Sequence, residues 1–161
     1  MLSQTVEYAL RAMAYLATLA PDDACNSEAI ANRTHVPRGY LSKVLRDLVV
    51  AQLIHSQRGP SGGFTLARKA QSISLLEIVN AVDPIQRVTR CPLGNSSHLK
   101  LCPLHRRLDN AIGLIEDEFA RTSLAEVLEE NTLMKQKTKQ HCPGVATTPI
   151  RVRVARGRGN E

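Results

Sequence analysis

The sequence predicts a mainly α-helical protein, a winged helix-turn-helix followed by a long C-terminal dimerisation helix. Three segments with helical apolar spacing come first, and a glycine-rich turn between two short β-prone segments follows them. Only five of the 161 residues are aromatic and none is Trp. The core must therefore be built from aliphatic side chains, which favours helices over a β-sandwich.

The first three helices are predicted from their apolar period and end signals. The first begins near Leu2 and continues to Ala20, where Pro21 ends it. A short second helix covers 28–33 with Ser27 as N-cap, and a turn at 34–36 leads to Pro37 at a first helical position. The third helix continues to about residue 51, with these residues facing inward: Leu41, Val44, Leu45, Leu48 and Val49.

The next elements are a hairpin and three more helices. Strands at 53–58 and 64–66 flank the turn Gly59–Gly63, and a helix at 75–82 is capped by Ser74. Residues 84–102 are predicted to be a loop, and Ser123 caps a last helix at 124–130. A long helix begins near residue 103, and its near-heptad stripe predicts packing on another helix, such as its own symmetry mate. The stripe consists of Leu104, Leu108, Ala111, Ile115 and Phe119, widened by Ile112.

Four parts of the chain are predicted. Residues 1–83 form the DNA-binding domain, 84–102 a cluster- or metal-binding loop, 103–134 the dimerisation helix region and 135–161 a basic disordered tail. The tail carries seven basic residues and one acid, so it accounts for the whole formal charge of +6. Net charge is thus no argument that the folded part binds DNA.

The sequence also excludes several classes of protein. It contains no apolar stretch long enough to span a membrane and no signal peptide, so we expect a cytoplasmic protein. Its four cysteines are then expected to be thiols or metal ligands rather than disulfides.

DNA binding is predicted from the third helix together with the hairpin. Opposite its apolar face, the helix carries basic, hydroxyl and small residues near its N-terminal end, as a recognition helix in the major groove requires. Arg58 lies at the start of the wing turn, where it could enter the minor groove. The predicted DNA-binding residues are Arg38, Gly39, Tyr40, Ser42, Lys43, Arg46 and Arg58.

A metal site is predicted where the loop meets the long helix. Cys91, His98, Cys102 and His105 have the spacing C-x6-H-x3-C-x2-H, and the last two lie one helical turn apart. These ligand types suit Zn or an iron–sulfur cluster with mixed ligands, whereas two cysteines are too few for an all-thiolate cluster. An enzyme with Cys102 as nucleophile is disfavoured, because no oxyanion-binding group and no acid orienting His105 is apparent.

Over about residues 1–130 the chain resembles the Rrf family of bacterial winged-helix transcriptional regulators (IscR-, NsrR- and RirA-like). The resemblance rests on the opening helix with Leu2-Ser3 and Tyr8-Ala9-Leu10, on 36–41, on the wing at 58–66, and on the cysteine-containing loop before a long helix. It implies a homodimer crossed through the long helix, palindromic operator DNA, and often a 2Fe–2S or 4Fe–4S cluster sensing iron–sulfur status, nitric oxide, iron or redox state.

The resemblance also implies a ligand set. Cys91 corresponds to the first cysteine of the family's cluster loop and Cys102 to the last, while the middle cysteine is missing and His98 is the nearest replacement. His105 lies where some members have a histidine ligand, and Glu7 where others supply a carboxylate from the partner's first helix. Without the resemblance, Glu7 is interpreted as a solvent-facing residue. The alternative is a regulator with a structural Zn or no metal that responds to a partner protein or a small molecule.

Overall fold

The structure is a computed structural model and describes residues 2–20, 23–59, 62–90 and 101–130. The helices are α1 (Gln4–Leu16), α2 (Ser27–Thr34), α3 (Arg38–Val50), α4 (Leu75–Val82), α5 (Pro103–Arg121) and α6 (124–130). Two strands, β1 (Ile54–Gln57) and β2 (Gly63–Leu66), lie between α3 and α4. The predicted mainly helical, winged helix-turn-helix architecture is confirmed, whereas the division into four parts stays a prediction.

The first three helices have ends that differ from the sequence-based ones. Helix α1 ends at Leu16 rather than Ala20, because the next amides bond three residues back and the Thr18 hydroxyl donates to the Tyr15 carbonyl at 2.7 Å. Asn26 rather than Ser27 caps α2, accepting from the Ala29 amide at 2.8 Å. Pro37 is the N-cap of α3 rather than its first helical residue.

The core lies where α1, α2 and α3 meet α4. The inner face of α3 is buried as predicted, except that Val49 is only half-buried. One apolar cluster contains residues from each of these helices, from β1 and from the segment after α5. It includes Met13, Ile30, Leu45, Leu48, Ile54, Ile78 and Leu124.

The wing is an antiparallel pair whose register runs from Ile54 opposite Leu66 to Gln57 opposite Gly63. A single bridge extends the pair, because the Cys25 backbone exchanges hydrogen bonds of 3.1 and 2.8 Å with Phe64. A Cβ on Gly63 would lie 2.6 Å from the Cys25 backbone. Only glycine therefore allows this close approach of the loop before α2 to the wing.

The chain returns to the winged helix after α5. The Leu75 amide donates to the Thr122 carbonyl at 3.0 Å, and the Leu124 amide donates to the Ile73 carbonyl at 2.8 Å. Leu124 is buried beside these residues. Helix α5 is therefore attached at its C-terminal end to the same core that holds α3. None of the helices in the described ranges is long and apolar enough to cross a membrane.

Candidate nucleic-acid interface and metal site

Helix α3 separates a buried apolar face from an exposed polar one. Leu41, Val44, Leu45 and Leu48 recur at three- and four-residue steps and are buried. All six residues that the sequence singles out on this helix are exposed: Arg38, Gly39, Tyr40, Ser42, Lys43 and Arg46. The spacing of the exposed set places three cations within the first three turns of the helix.

The N-terminal end of α3 is open to solvent. Tyr40 is 62% exposed, and its ring centroid lies 6.0 Å from that of Tyr8 on α1, which supports it from behind. The Ser42 hydroxyl donates to the Arg38 carbonyl at 3.0 Å. A Cβ on Gly39 would meet nothing within 4 Å, so the space in front of the backbone is free for a ligand.

The wing places Arg58 beside a constrained turn. Arg58 follows β1 directly and is exposed. Gly59 has a φ of +117°, which side-chain-bearing residues rarely adopt, and the Gly62 amide donates to the Gly59 carbonyl at 2.9 Å. The turn chemistry predicted from the glycines is therefore present, whereas residues 60 and 61 lie outside the described ranges.

Two of the predicted metal ligands lie together at the start of α5. Cys102 is the N-cap residue, and its Sγ lies 3.2 Å from His105 Nδ1, with both residues half-buried. Cys91 and His98 lie outside the described residues. Glu7 is exposed and forms an ion pair with Arg11 one turn along α1. Within the described residues, no three groups of ligand type gather closely enough to hold a metal, so Glu7 does not join the pair in one protomer.

An ion-pair cluster missed by sequence reasoning joins residues 84–90 to α5. Arg87 forms two hydrogen bonds of 2.7 Å with Asp109 and one of 2.8 Å with Glu116, and the Val88 amide donates to Asp109 at 3.0 Å. Arg87 lowers the pKa of Asp109, and these two carboxylates raise the pKa of Arg87. Asp109 and Glu116 lie two turns apart on one face of α5. This spacing was the sequence signal that could have predicted a basic side chain bound to both.

The apolar stripe of α5 is largely uncovered in the protomer. Leu104, Leu108 and Ile115 of this stripe are 63%, 48% and 47% exposed, and Leu114, outside the stripe, is 69% exposed. Beside them is a groove of about 690 Å³ between α1, the chain after α4 and α5. Its apolar lining includes Leu2, Val6, Pro84, Ile85, Ile112, Ile115 and Phe119. An exposed apolar surface of this kind is typical of an association site.

Comparison with known proteins identifies relatives along most of the chain. The model of the Rrf2 family, described as an iron-dependent transcriptional regulator, matches residues 2–130. A protein of Aquifex aeolicus named as an HTH-type transcriptional regulator is 31% identical over 130 residues, which cover 78% of this chain and 90% of that protein. A protein of Mycobacterium tuberculosis, also named as an HTH-type transcriptional regulator, is 31% identical over 137 residues. These residues cover 82% of this chain and 78% of that protein.

Solved structures share the fold. CymR, the global cysteine regulator of B. subtilis, superposes with a TM-score of 0.68 at 22% identity, covering 81% of this chain and 97% of that one. IscR of T. potens superposes with a TM-score of 0.65 at 22% identity, covering 89% of this chain and 93% of that one. These relatives and structural neighbours are regulators rather than enzymes, as the sequence predicts for this chain.

Proposed function

The chain belongs to the Rrf2 family of transcriptional regulators, and on this premise we propose that it is a homodimeric cytoplasmic repressor that reads a palindromic operator. Its proposed signal is redox state, nitric oxide or iron–sulfur status, detected through a cluster held in the segment from Cys91 to His105. The observation that carries the proposal is the exposed cationic face of α3, together with the exposed Arg58 of the wing.

DNA reading is assigned to α3 and the wing. The buried face of α3 fixes the helix to the core, while Arg38 and Lys43 remain exposed for base edges and phosphates. A guanidinium can form two hydrogen bonds with guanine, whereas an ammonium acts on phosphate as a point charge. Arg58 would enter the neighbouring minor groove, where narrow A·T-rich segments attract arginine.

A second copy of the chain is proposed to cover the apolar stripe of α5. Leu104, Leu108 and Ile115 of this stripe are 63%, 48% and 47% exposed, and they lie on the helix that the family resemblance assigns to the dimer. A two-fold axis at α5 would present two α3 helices to successive major grooves about 34–36 Å apart. A palindromic operator would match this symmetry.

The donor set at the start of α5 fits a metal centre. A thiol and an imidazole nitrogen are donors that both zinc and iron–sulfur centres accept, and Cys102 Sγ and His105 Nδ1 lie 3.2 Å apart. These two residues would hold the group together with Cys91 and either His98 or Glu7 of the partner subunit. When bound, an iron–sulfur cluster supplies a centre that nitric oxide and oxidants attack.

Helix α5 offers a physical route from the signal to the DNA. Cys102 and His105 lie in its first turn, and its C-terminal end is bonded to the core at Thr122. Arg87 fixes the chain before the candidate loop to the middle of the same helix. A change at the ligands would therefore act on the helix that carries the proposed dimer contact, and so on the spacing of the two α3 helices.

The test is anaerobic purification followed by a visible spectrum and counts of iron, sulfide and zinc. We expect visible absorption with iron and sulfide, and both should be lost in Cys102→Ala but retained in Cys25→Ala, whose thiol lies beside Tyr15 rather than on α5. Zinc without colour would favour the structural-metal alternative. If the protein contains neither iron nor zinc and Cys102→Ala regulates normally, the proposed sensing role is wrong. The proposed DNA-binding role would remain.

A further inference from the structure

Glu28 and Arg38 form an ion pair between two helices at the candidate DNA surface. Arg38 Nη2 donates to Glu28 Oε1 across ten positions of the chain. Glu28 lies in the first turn of α2, where the helix dipole favours an acid. Arg38 lies in the first turn of α3, which has no acidic residue and no side-chain cap of its own. Glu28 therefore places a negative charge where the α3 terminus and its arginine are both positive.

The pair engages only part of the guanidinium. Arg38 remains 66% exposed and Glu28 64%, so both side chains are accessible to solvent and to a ligand on this surface. Among the described residues, no other side chain bonds the Arg38 guanidinium. Since arginine carries five N–H donors in a planar fork, the nitrogens not facing Glu28 are still able to bond a base edge.

We propose that Glu28 is a specificity-determining residue that positions Arg38 and neutralises its attraction to phosphate. Attraction to phosphate depends on charge and is the same for every sequence, whereas a base contact depends on the geometry of the donors. If the Glu28 carboxylate keeps its bond to Arg38 when the protein binds DNA, it weakens the attraction to phosphate and preserves the base contact. This inference rests on the proposed function, in which α3 faces DNA.

The rival role of Glu28 is competition with DNA for Arg38. If the pair had to break on the operator, removing the carboxylate would strengthen operator binding at least as much as binding to any other duplex. If the pair persists, removal strengthens only the sequence-independent attraction. The ratio of the two affinities therefore separates the two roles.

The experiment compares full-length wild type, Glu28→Gln, Arg38→Ala and the double variant. The probes are a duplex enriched by the wild-type protein from a random-sequence library and a shuffled version of it, titrated by fluorescence anisotropy over a range of KCl concentrations. Glu129→Gln is the control, because it removes the same charge from an exposed position on α6.

We expect Glu28→Gln to bind the shuffled duplex about 2- to 25-fold more tightly, since each protomer of the dimer contributes the roughly 1.5- to 5-fold effect of an exposed ion pair. Its salt slope on that duplex should steepen by about 1.8, for one additional phosphate contact in each of the two protomers. Operator affinity should stay the same or fall, so the affinity ratio decreases. In the Arg38→Ala background, Glu28→Gln should leave the ratio of operator to shuffled-duplex affinity unchanged. The control Glu129→Gln should also leave this ratio unchanged.

An equal or larger gain on the operator would overturn the inference and make Glu28 a competitor. A change of ratio that persists without Arg38 would overturn it as well. If the wild-type protein enriches no duplex at all, the proposed DNA-binding function itself fails, and the two failures are therefore distinguishable.

Discussion

Replacing Ile115 by Glu tests the proposed association of two copies through α5. Ile115 lies in the apolar stripe and lines the groove beside α1, yet 47% of its surface is exposed in the protomer. A two-fold interface uses each residue twice, so a single substitution changes both halves of the dimer. We expect Ile115→Glu to convert the protein from a dimer to a monomer.

The magnitude follows from the exposed fraction. Full burial of an isoleucine side chain contributes about 1.5–3 kcal/mol, so covering the remaining half contributes about 1 kcal/mol per copy. The dimer thus loses about 2 kcal/mol, and two carboxylates buried near the axis cost several kcal/mol more. A total of about 4 kcal/mol or more weakens association by roughly a thousandfold.

Sedimentation measured over a range of protein concentrations gives the association constant, and far-UV circular dichroism checks that the winged helix remains folded. Asn110→Glu adds the same charge at an exposed polar position of α5 and should leave the dimer intact. A folded Ile115→Glu protein that dimerises as tightly as wild type would show that this face of α5 is not the interface.

Four further outcomes are expected. Arg58→Ala should lower operator affinity in gel-shift titrations by about 1–3 kcal/mol for each protomer of the dimer; unchanged affinity would exclude the wing arginine from the interface. Deletion of 135–161 should lower affinity for non-specific DNA, since it removes the chain's whole excess charge, and a footprint lost at moderate salt would make this arm part of the reader. Arg87 holds the pKa of Asp109 below its ordinary 3.8, so this carboxylate stabilises the fold above that pH and its contribution is lost as the pH falls below it. Asp109→Asn should therefore lower the melting temperature at neutral pH, and the difference should shrink as the pH falls below 3.8; a constant difference would refute the assignment. Leu48→Ala, at a fully buried position, should lower the free energy of unfolding by about 2–5 kcal/mol in urea titrations, and a loss well below 1 kcal/mol would contradict the packing described for α3.

The candidate DNA surface was predictable because its signals are local. The period of Leu41, Val44 and Leu48 defines which face of α3 is buried, and so also which residues remain exposed. The exposed position of Arg58 follows from the glycine turn beside it. For the proposed metal site, only the approach of Cys102 to His105 was predictable, since the two residues are one helical turn apart. Nothing local determines where Cys91, His98 or Glu7 lie relative to them.

By itself, the sequence determined the elements whose causes lie within one or two turns of the chain. Helix α4 occupies the predicted 75–82 because Ser74 and Glu77 form a capping box within that segment. Only the tertiary structure decided contacts between distant residues. Arg87 meets Asp109 and Glu116 across 22 and 29 positions, and Glu28 meets Arg38 across two helices. Charge alone allows many partners for each of these residues, and the packing of whole helices brings together the pairs that form.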